Sequence, residues 1–192
     1  MGARLLARRT VLLALATFLT SESARSDEVT VPIDLQVDLL GRVVRFERNY
    51  AARGDAPALV VVVAKGFETA SVRAAALASA AITKIGNLGA RRASVTPHTF
   101  SSPAALRSAA HDADVVYLMP GFSRADLQAI AATFVDSSVL TVGVSSAEAE
   151  GGAALGFELE GSKPRIVVNL RQARIQRLDF NAQFLRLARV LQ

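Results

Sequence analysis

The sequence has no cysteine and no tryptophan, and its only histidines are His98 and His111. The absence of cysteine excludes disulfides, a thiol nucleophile, thiolate metal sites and a lipoprotein anchor. Neither histidine belongs to an HExxH motif or to a cluster of ligands, so no metal site is expected. A GxSxG elbow and a glycine-rich phosphate loop are also missing, so we expect no catalytic residue and no cofactor.

Lysine is scarce, and the excess of positive charge lies mainly at the start of the chain. Only three of the 22 basic residues are lysines, and the formal net charge is +5. Residues 1–26 hold four arginines and one glutamate, so without them the formal charge falls to +2. Basic residues do not alternate with aromatic residues in a stripe, and nucleic acid is therefore not an expected partner.

The first 26 residues have the order of a secretory signal peptide. Arg4, Arg8 and Arg9 precede a short apolar run at 11–19, and small residues suited to cleavage follow it in "SESARS". That run is well below the ~20 residues that a membrane-spanning helix needs, although an uncleaved anchor stays an alternative. We predict a signal peptide over residues 1–26, export to the periplasm, and one folded domain over residues 27–192.

The rest of the chain alternates between apolar runs and amphipathic segments. The runs "ALVVVVA", "DVVYLM" and "SSVLTVG" are typical of strands that are covered on both faces, and segments of helical periodicity separate them. This alternation predicts an α/β fold, a single compact domain with a mainly parallel sheet flanked by helices. A first helix is also predicted, because apolar residues recur at helical spacing from Ile33 to Tyr50.

Two further elements are predicted near the C-terminus. The segments "ALGFELE" and "RIVVNL", separated by "GSKP", predict a β-hairpin added to the sheet. The final segment predicts a terminal amphipathic helix that covers the sheet, with Arg186 and Arg189 on its solvated face. The apolar stripe of this helix comprises Phe180, Phe184, Leu187, Ala188 and Leu191.

Four polar residues stand where helices are predicted to begin, namely Ser102, Ser123, Ser145 and Asn169. Serine and asparagine are preferred at this position because their side-chain oxygens accept hydrogen bonds from the first free backbone N–H groups. Ser123 and Ser145 are each followed by an acidic residue three positions later, which is the spacing of a capping box. All four are therefore interpreted as structural caps.

The loops that follow the predicted parallel strands contain the candidate binding residues. Because the carboxyl ends of parallel strands meet at one edge of the sheet, where ligands usually bind, these loops are expected to form one rim. The candidate residues of the rim are Lys65, Phe67, His98, Phe100, Phe122 and Arg124. Aromatic and polar side chains at one edge could bind a partner protein or a small ligand. The alternative is that each phenylalanine packs its own loop onto the adjoining helix.

The order of these segments resembles the YfiR family of bacterial periplasmic proteins. The resemblance rests on the export signal, on "VPIDLQVDLLGRVVRFERNY", on the "DADVVYL" and "VLTVG" strands, on "EGGAALGFELEGSKPRIVVNL" and on the ending "ARIQRLDFNAQFLRLARVL". Its sharpest parts are the double glycine before the hairpin, the pair Asn169-Leu170 followed by Ala173, and the Leu-Arg-Leu-Ala of residues 185–188. The similarity covers nearly all of residues 30–192.

The resemblance implies a regulatory protein that is not an enzyme. The best-known members of the family it resembles bind the periplasmic sensing region of a membrane-bound diguanylate cyclase and hold that cyclase inactive, which limits cyclic di-GMP and biofilm formation. A related histidine kinase is the other partner implied, and self-association into a homodimer is implied as well. Those members carry disulfides and respond to redox state. Redox sensing does not carry over, because this chain has no cysteine.

Two other functions remain open from the residues alone. The first is a module that binds a small ligand, such as an amphiphile or a peptide fragment, on the phenylalanine-containing rim. The second is a hydrolase whose site includes His98. A regulatory function is the preferred hypothesis, because it alone explains the export signal, the lack of catalytic motifs and the resemblance together.

Overall fold

An eight-stranded, mainly parallel sheet organises residues 30–66 and 68–192, the part of the chain that the computed structural model describes. The predicted signal peptide and Phe67 lie outside the described residues. The helices are α1 (Ile33–Val43), α2 (Arg48–Ala51), α3 (Thr69–Ile85), α4 (Pro103–Ala109), α5 (Arg124–Thr133), α6 (Ser146–Gly151), α7 (Leu170–Ile175) and α8 (Ala182–Leu185). The strands are β1 (Ala58–Ala64), β2 (Asn87–Leu88), β3 (Arg91–Thr99), β4 (Val115–Leu118), β5 (Leu140–Gly143), β6 (Leu155–Glu160), β7 (Lys163–Asn169) and β8 (Arg189–Leu191).

The strand order is β2-β3-β1-β4-β5-β6-β7-β8. The five strands from β3 to β6 in this order run parallel to one another. β2 pairs with β3, and β7 pairs with β6, in the antiparallel sense, and β8 returns parallel to β7. The predicted α/β domain, its parallel sheet and its C-terminal hairpin are confirmed.

Apolar side chains pack on both faces of the sheet. Val60 and Val62 of β1 belong to a core that includes side chains of α1 and α3, whereas Val61 and Val63 belong to a second core with α4 and α5. Successive side chains of a strand point to opposite faces, so a strand covered on both sides must be apolar at every position. This is the physical reason for the uninterrupted run of valines.

A buried ion cluster ties together the amino-terminal edge of the parallel strands. Asp114, directly before β4, is 4% exposed and accepts hydrogen bonds from the Arg91 guanidinium at 2.6 and 3.1 Å. It also accepts hydrogen bonds from Arg53 and from the backbone N–H of Leu59, the latter at 2.8 Å. We call Asp114, Arg91 and Arg53 the Asp114 cluster. Its hydrogen bonds connect residues at the starts of β1, β3 and β4.

The first helix is shorter than its apolar periodicity predicts. α1 ends at Val43, a 3-10 turn follows at Val44–Phe46, and α2 begins at Arg48. The break occurs at Glu47, whose backbone is extended and forms an isolated β-bridge with Phe180. The Glu47 side chain is buried and accepts hydrogen bonds from N–H groups at the start of α2. A long-range contact therefore overrides the local helical pattern.

The terminal helix also differs from the prediction, and the apolar stripe assigned to it is wrong at Leu187. Helix α8 ends at Leu185, and the chain continues into strand β8, which pairs with β7. Phe184 is buried as predicted, but Leu187 is 72% exposed. Arg189 is not on a free solvated face, because it pairs with Glu158 at 2.6 Å and with Glu150 at 3.2 Å. The open edge of β7 supplied hydrogen-bond partners that sequence periodicity does not reveal.

His98 lies within β3, opposite Val63 of β1, and not in a loop after a strand as predicted. The strand passes through Pro97, a residue without a backbone N–H group. This is tolerated because β2 pairs only with Arg91 and Arg92, so that the outer edge of β3 is open at Pro97. The longer strand moves His98 from the predicted rim into the end of the sheet.

Candidate functional site

Three of the predicted rim residues meet at the carboxyl edge of the sheet. Lys65 follows β1, Phe100 follows β3, and Phe122 lies just before α5. The rings of Phe100 and Phe122 pack edge to face, with centroids 5.2 Å apart and planes at 76°. The Lys65 ammonium lies 5.1 Å from the Phe100 centroid and 5.5 Å from the Phe122 centroid. This distance range is that of a cation–π interaction.

Asp126 completes this group, and the sequence did not predict its part in it. Its Oδ2 accepts a hydrogen bond from the Lys65 Nζ at 2.7 Å, and both side chains are 25% exposed. The same oxygen accepts hydrogen bonds from the backbone N–H and the hydroxyl of Ser123. The capping-box spacing identified Asp126 as a helix residue, but only the fold brings it to Lys65, 61 positions away. The Lys65 charge is thus neutralised within the protein.

The rim residues differ in their exposure. Phe122 is 9% exposed and belongs to the core beneath α5, whereas Phe100 is only partly buried against that core. Arg124, the first residue of α5, is exposed. The Nε2 atom of His98 is buried and has no hydrogen-bond partner among the described residues. Among the described rim residues, Arg124 is therefore the most accessible to a partner, and Phe100 keeps part of its surface exposed.

The four predicted cap residues occupy the N-cap positions of α4, α5, α6 and α7. Ser102, Ser123, Ser145 and Asn169 each accept a hydrogen bond from a backbone N–H group in the first turn of their helix. Ser123 and Ser145 form complete capping boxes. Asn169 also donates a hydrogen bond to the Ala149 carbonyl at 2.9 Å, which ties α7 to α6. These side chains have structural partners that account for their positions.

Metal binding and membrane spanning find no support in residues 30–66 and 68–192. Over these ranges, no three histidine, aspartate or glutamate side chains are grouped so that they could hold a metal ion. Over the same ranges, no helix combines the length and the apolar character required to cross a membrane.

The ion pair between Lys65 and Asp126 should make stability depend on pH. The hydrogen bond from Lys65, and after it those from Ser123, hold the pKa of Asp126 below its usual value. A carboxyl with a lowered folded-state pKa contributes stability that is fully present above its unfolded pKa of about 4 and is lost as the pH falls through the folded value. Asp126→Ala should therefore lower the free energy of unfolding by ~1 kcal/mol at pH 7.

The difference in unfolding free energy between wild type and Asp126→Ala should narrow as the pH falls below about 4, as measured by urea unfolding at each pH. Asp55→Ala is the control, because Asp55 is exposed and forms no ion pair within the described part of the chain. The free energy of unfolding of Asp55→Ala should differ little from that of wild type at every pH. A wild-type advantage over Asp126→Ala that persisted undiminished at pH 3 would show that the Asp126 charge contributes nothing.

Comparison with known proteins identifies the family. A family model described as YfiR/HmsC-like matches residues 34–189. The chain belongs to the YfiR/HmsC-like family. This confirms the resemblance drawn from the sequence, and it makes the chain a member of a family of periplasmic regulators of the cyclic di-GMP signalling kind. No curated protein matches this YfiR-like chain.

Two solved structures are similar to the YfiR-like chain in fold. One is described as the ABC domain in complex with L-Trp from Streptococcus pneumoniae, with a TM-score of 0.60 and 13% identity, covering 83% of this chain and 62% of that one. The other is a conserved domain protein from Vibrio cholerae, with a TM-score of 0.58 and 14% identity, covering 86% of this chain and 61% of that one. The chain therefore spans less than two thirds of the length of either neighbour. At these identities the likeness shows an α/β fold alone.

Proposed function

We propose that this YfiR-like protein binds the periplasmic sensor region of a membrane-bound diguanylate cyclase, or of a related sensor kinase, and represses it. The observation that carries the proposal is the family match over residues 34–189. Repression of the cyclase would limit cyclic di-GMP, and with it biofilm formation, inside the cell. The protein would act from the periplasm without making or breaking covalent bonds.

The partners of the polar side chains at the rim and at the helix starts support a binding function. The Lys65 amine is held by Asp126, and the hydroxyls of Ser123 and Ser145 are engaged in capping boxes. These hydrogen bonds stabilise the starts of α5 and α6, which gives both hydroxyls a structural role. Phe100 and Arg124 remain our proposed contacts for a partner at this edge.

Repression by binding requires only a difference in affinity between two states of the partner. A ligand shifts an equilibrium between two states by no more than its differential affinity for them. Coupling of ~1–3 kcal/mol, which corresponds to a change of about 5- to 150-fold in affinity, is typical of allosteric proteins. A folded surface that fits the inactive state of the cyclase better than the active state would therefore suffice.

Deletion of the gene should raise the cyclic di-GMP content of the host cell severalfold. Expression of the exported protein in the deletion strain should return the content to its original low level. The measurement is the nucleotide extracted from matched cultures. A version without residues 1–26 is the control, because it should stay in the cytoplasm and fail to restore the low level. An unchanged cyclic di-GMP content after deletion would contradict the proposal.

A further inference from the structure

Two adjoining clefts lie beside α7. One, of about 280 Å³, lies between α7 and residues of α5 and α6, and the other, of about 590 Å³, lies between α7 and Gln192. Both are lined by Arg171 and Ile175, so the two clefts adjoin each other along α7, and we call the pair the α7 groove. Because α7 follows the antiparallel strand β7, the groove lies at the edge of the sheet opposite the rim.

The inner side of α7 is fixed to the rest of the domain by buried polar contacts. Gln172 donates a hydrogen bond to the Ala131 carbonyl of α5 at 3.2 Å. Gln176, directly after α7, donates one to the Thr141 hydroxyl of β5 at 3.0 Å, and neither of these two side chains is exposed. Together with the cap at Asn169, these contacts hold the helix in one place. The α7 groove is therefore a preformed feature with a rigid wall.

The lining of the α7 groove combines apolar surface with unpaired positive charge. Val135 is 47% exposed, and Leu170 and Ile175 are half-buried. Arg171 and Arg174 are exposed and form no ion pair with any described residue. No aspartate or glutamate side chain lines either cleft.

Other arginines near the α7 groove form ion pairs with carboxylates of the same chain. Arg177, one turn beyond Arg174, pairs with Asp136 at 2.7 Å. Arg189 of β8 pairs with both Glu150 and Glu158. Arginine is enriched at protein interfaces, where its guanidinium binds carboxylates through two hydrogen bonds. The two groove arginines thus present donors that their own chain leaves unused.

We infer that the α7 groove docks an acidic, partly apolar segment of the partner's periplasmic region. This rests on the proposed function, since the partner is the membrane-bound sensor that the protein represses. Carboxylates of the segment pair with Arg171 and Arg174, while its apolar side chains cover Val135 and Ile175. A second copy of this chain is not the expected occupant, because two grooves placed face to face would bring the arginines of both copies together and repel each other.

The test is a charge reversal, Arg171→Glu with Arg174→Glu. The purified wild-type protein and the variant are titrated into the reconstituted full-length cyclase that the wild type represses, and cyclic di-GMP synthesis is measured. The variant should raise the half-maximal concentration at least about tenfold, because charge pairs at interfaces contribute strongly to coupling. Arg171→Lys with Arg174→Lys keeps both positive charges and should raise the half-maximal concentration much less. Val135→Ser should also weaken repression, although it leaves the charge unchanged.

The control is Arg92→Glu with Lys163→Glu, which makes the same change in net charge. Both residues are exposed, have no ion pair within the described ranges and lie on β3 and at the hairpin turn, away from α7. The control should repress within about threefold of wild type, since exposed charges far from the contact act only through screened fields. A control weakened as much as the groove variant would overturn the inference, because net charge alone would explain the loss.

The remaining outcomes separate this inference from the function on which it rests. If the groove variant represses as well as wild type, the inference is wrong and the proposed function stands. If wild type itself does not repress, the proposed function fails, and this inference fails with it.

Anionic lipid is another source of negative charge that could bind the two arginines, and vesicles containing phosphatidylglycerol test it. Binding to them that is lost in the groove variant, with repression intact, would assign the arginines to lipid and overturn the inference.

Discussion

Replacing Asp114 with asparagine is expected to lower the free energy of unfolding by ~3–5 kcal/mol, because it leaves buried positive charge without a counterion. Asparagine keeps the size of the side chain and removes the negative charge. The guanidinium of Arg91, whose side chain is 6% exposed, would then face only neutral acceptors, and Arg53 would lose its ion pair. The measurement is chemical denaturation monitored by circular dichroism, with the denaturant slope compared between proteins.

Asp179→Asn is the matched control for the Asp114 experiment. It removes an ion pair with Arg48 in which the two side chains are 52% and 69% exposed, so the charges stay solvated. Exposed pairs contribute about 0–1 kcal/mol, and the control should lose no more than that. A loss below about 1 kcal/mol for Asp114→Asn as well would contradict the assignment of the Asp114 cluster as an essential buried ion pair.

Gly156→Ala is expected to be the second strongly destabilising change, at a cost of ~1–3 kcal/mol or more. A Cβ atom at this position of β6 would lie 2.2 Å from the backbone oxygen of Ser145 and 3.1 Å from the Cβ of Ala149. The obstacle cannot move freely, because Ser145 is fixed by its capping box at the start of α6. Helix α6 would have to shift away from the sheet. Thermal and denaturant unfolding of the variant measure the cost.

Gly41→Ala provides a control with the opposite expected sign. Gly41 lies inside α1, and the nearest atom to an added Cβ is 4.0 Å away, which is ordinary contact. Alanine is favoured over glycine in a helix interior by roughly 0.5–1 kcal/mol, so this variant should be slightly more stable than wild type. Equal stability of both alanine variants would show that the contact between β6 and α6 is looser than these distances indicate.

The sequence predicted the elements whose signals are local. The valine run of β1, the hairpin of β6 and β7, and the caps at Ser123 and Asn169 each follow from residues close together in the chain. A strand buried on both faces must be apolar throughout, and an N-cap needs a short side chain with an acceptor. Such elements can therefore be recognised from the sequence alone, without knowledge of the fold.

The elements that sequence reasoning missed depend on partners far along the chain. Glu47 breaks the first helix because it bridges to Phe180, and the end of the chain becomes a strand because β7 offers a free edge. The pairing of Lys65 with Asp126 and the burial of Asp114 have the same origin. Helical periodicity describes which residues can share a face, but tertiary contacts decide whether the helix forms.

The residues that carried the family resemblance have structural reasons for their identities. A Cβ on Gly151 would lie 2.4 Å from a Leu127 methyl group, and Gly152 has a φ of +134°, which side chains rarely adopt. Asn169 links α7 to α6 through the Ala149 carbonyl. These residues bring α5, α6 and α7 together, and so they build the wall of the α7 groove.

Repression by binding is tested most directly by the rate of cyclic di-GMP synthesis by a full-length membrane-bound diguanylate cyclase from the same host, reconstituted in lipid and titrated with the purified protein. We expect a saturable fall in the rate, which reaches a plateau while the protein is recovered chemically unchanged. A rate that stays constant at a large excess of the protein, for each such cyclase of the host and with its sensor kinases equally unaffected, would contradict it.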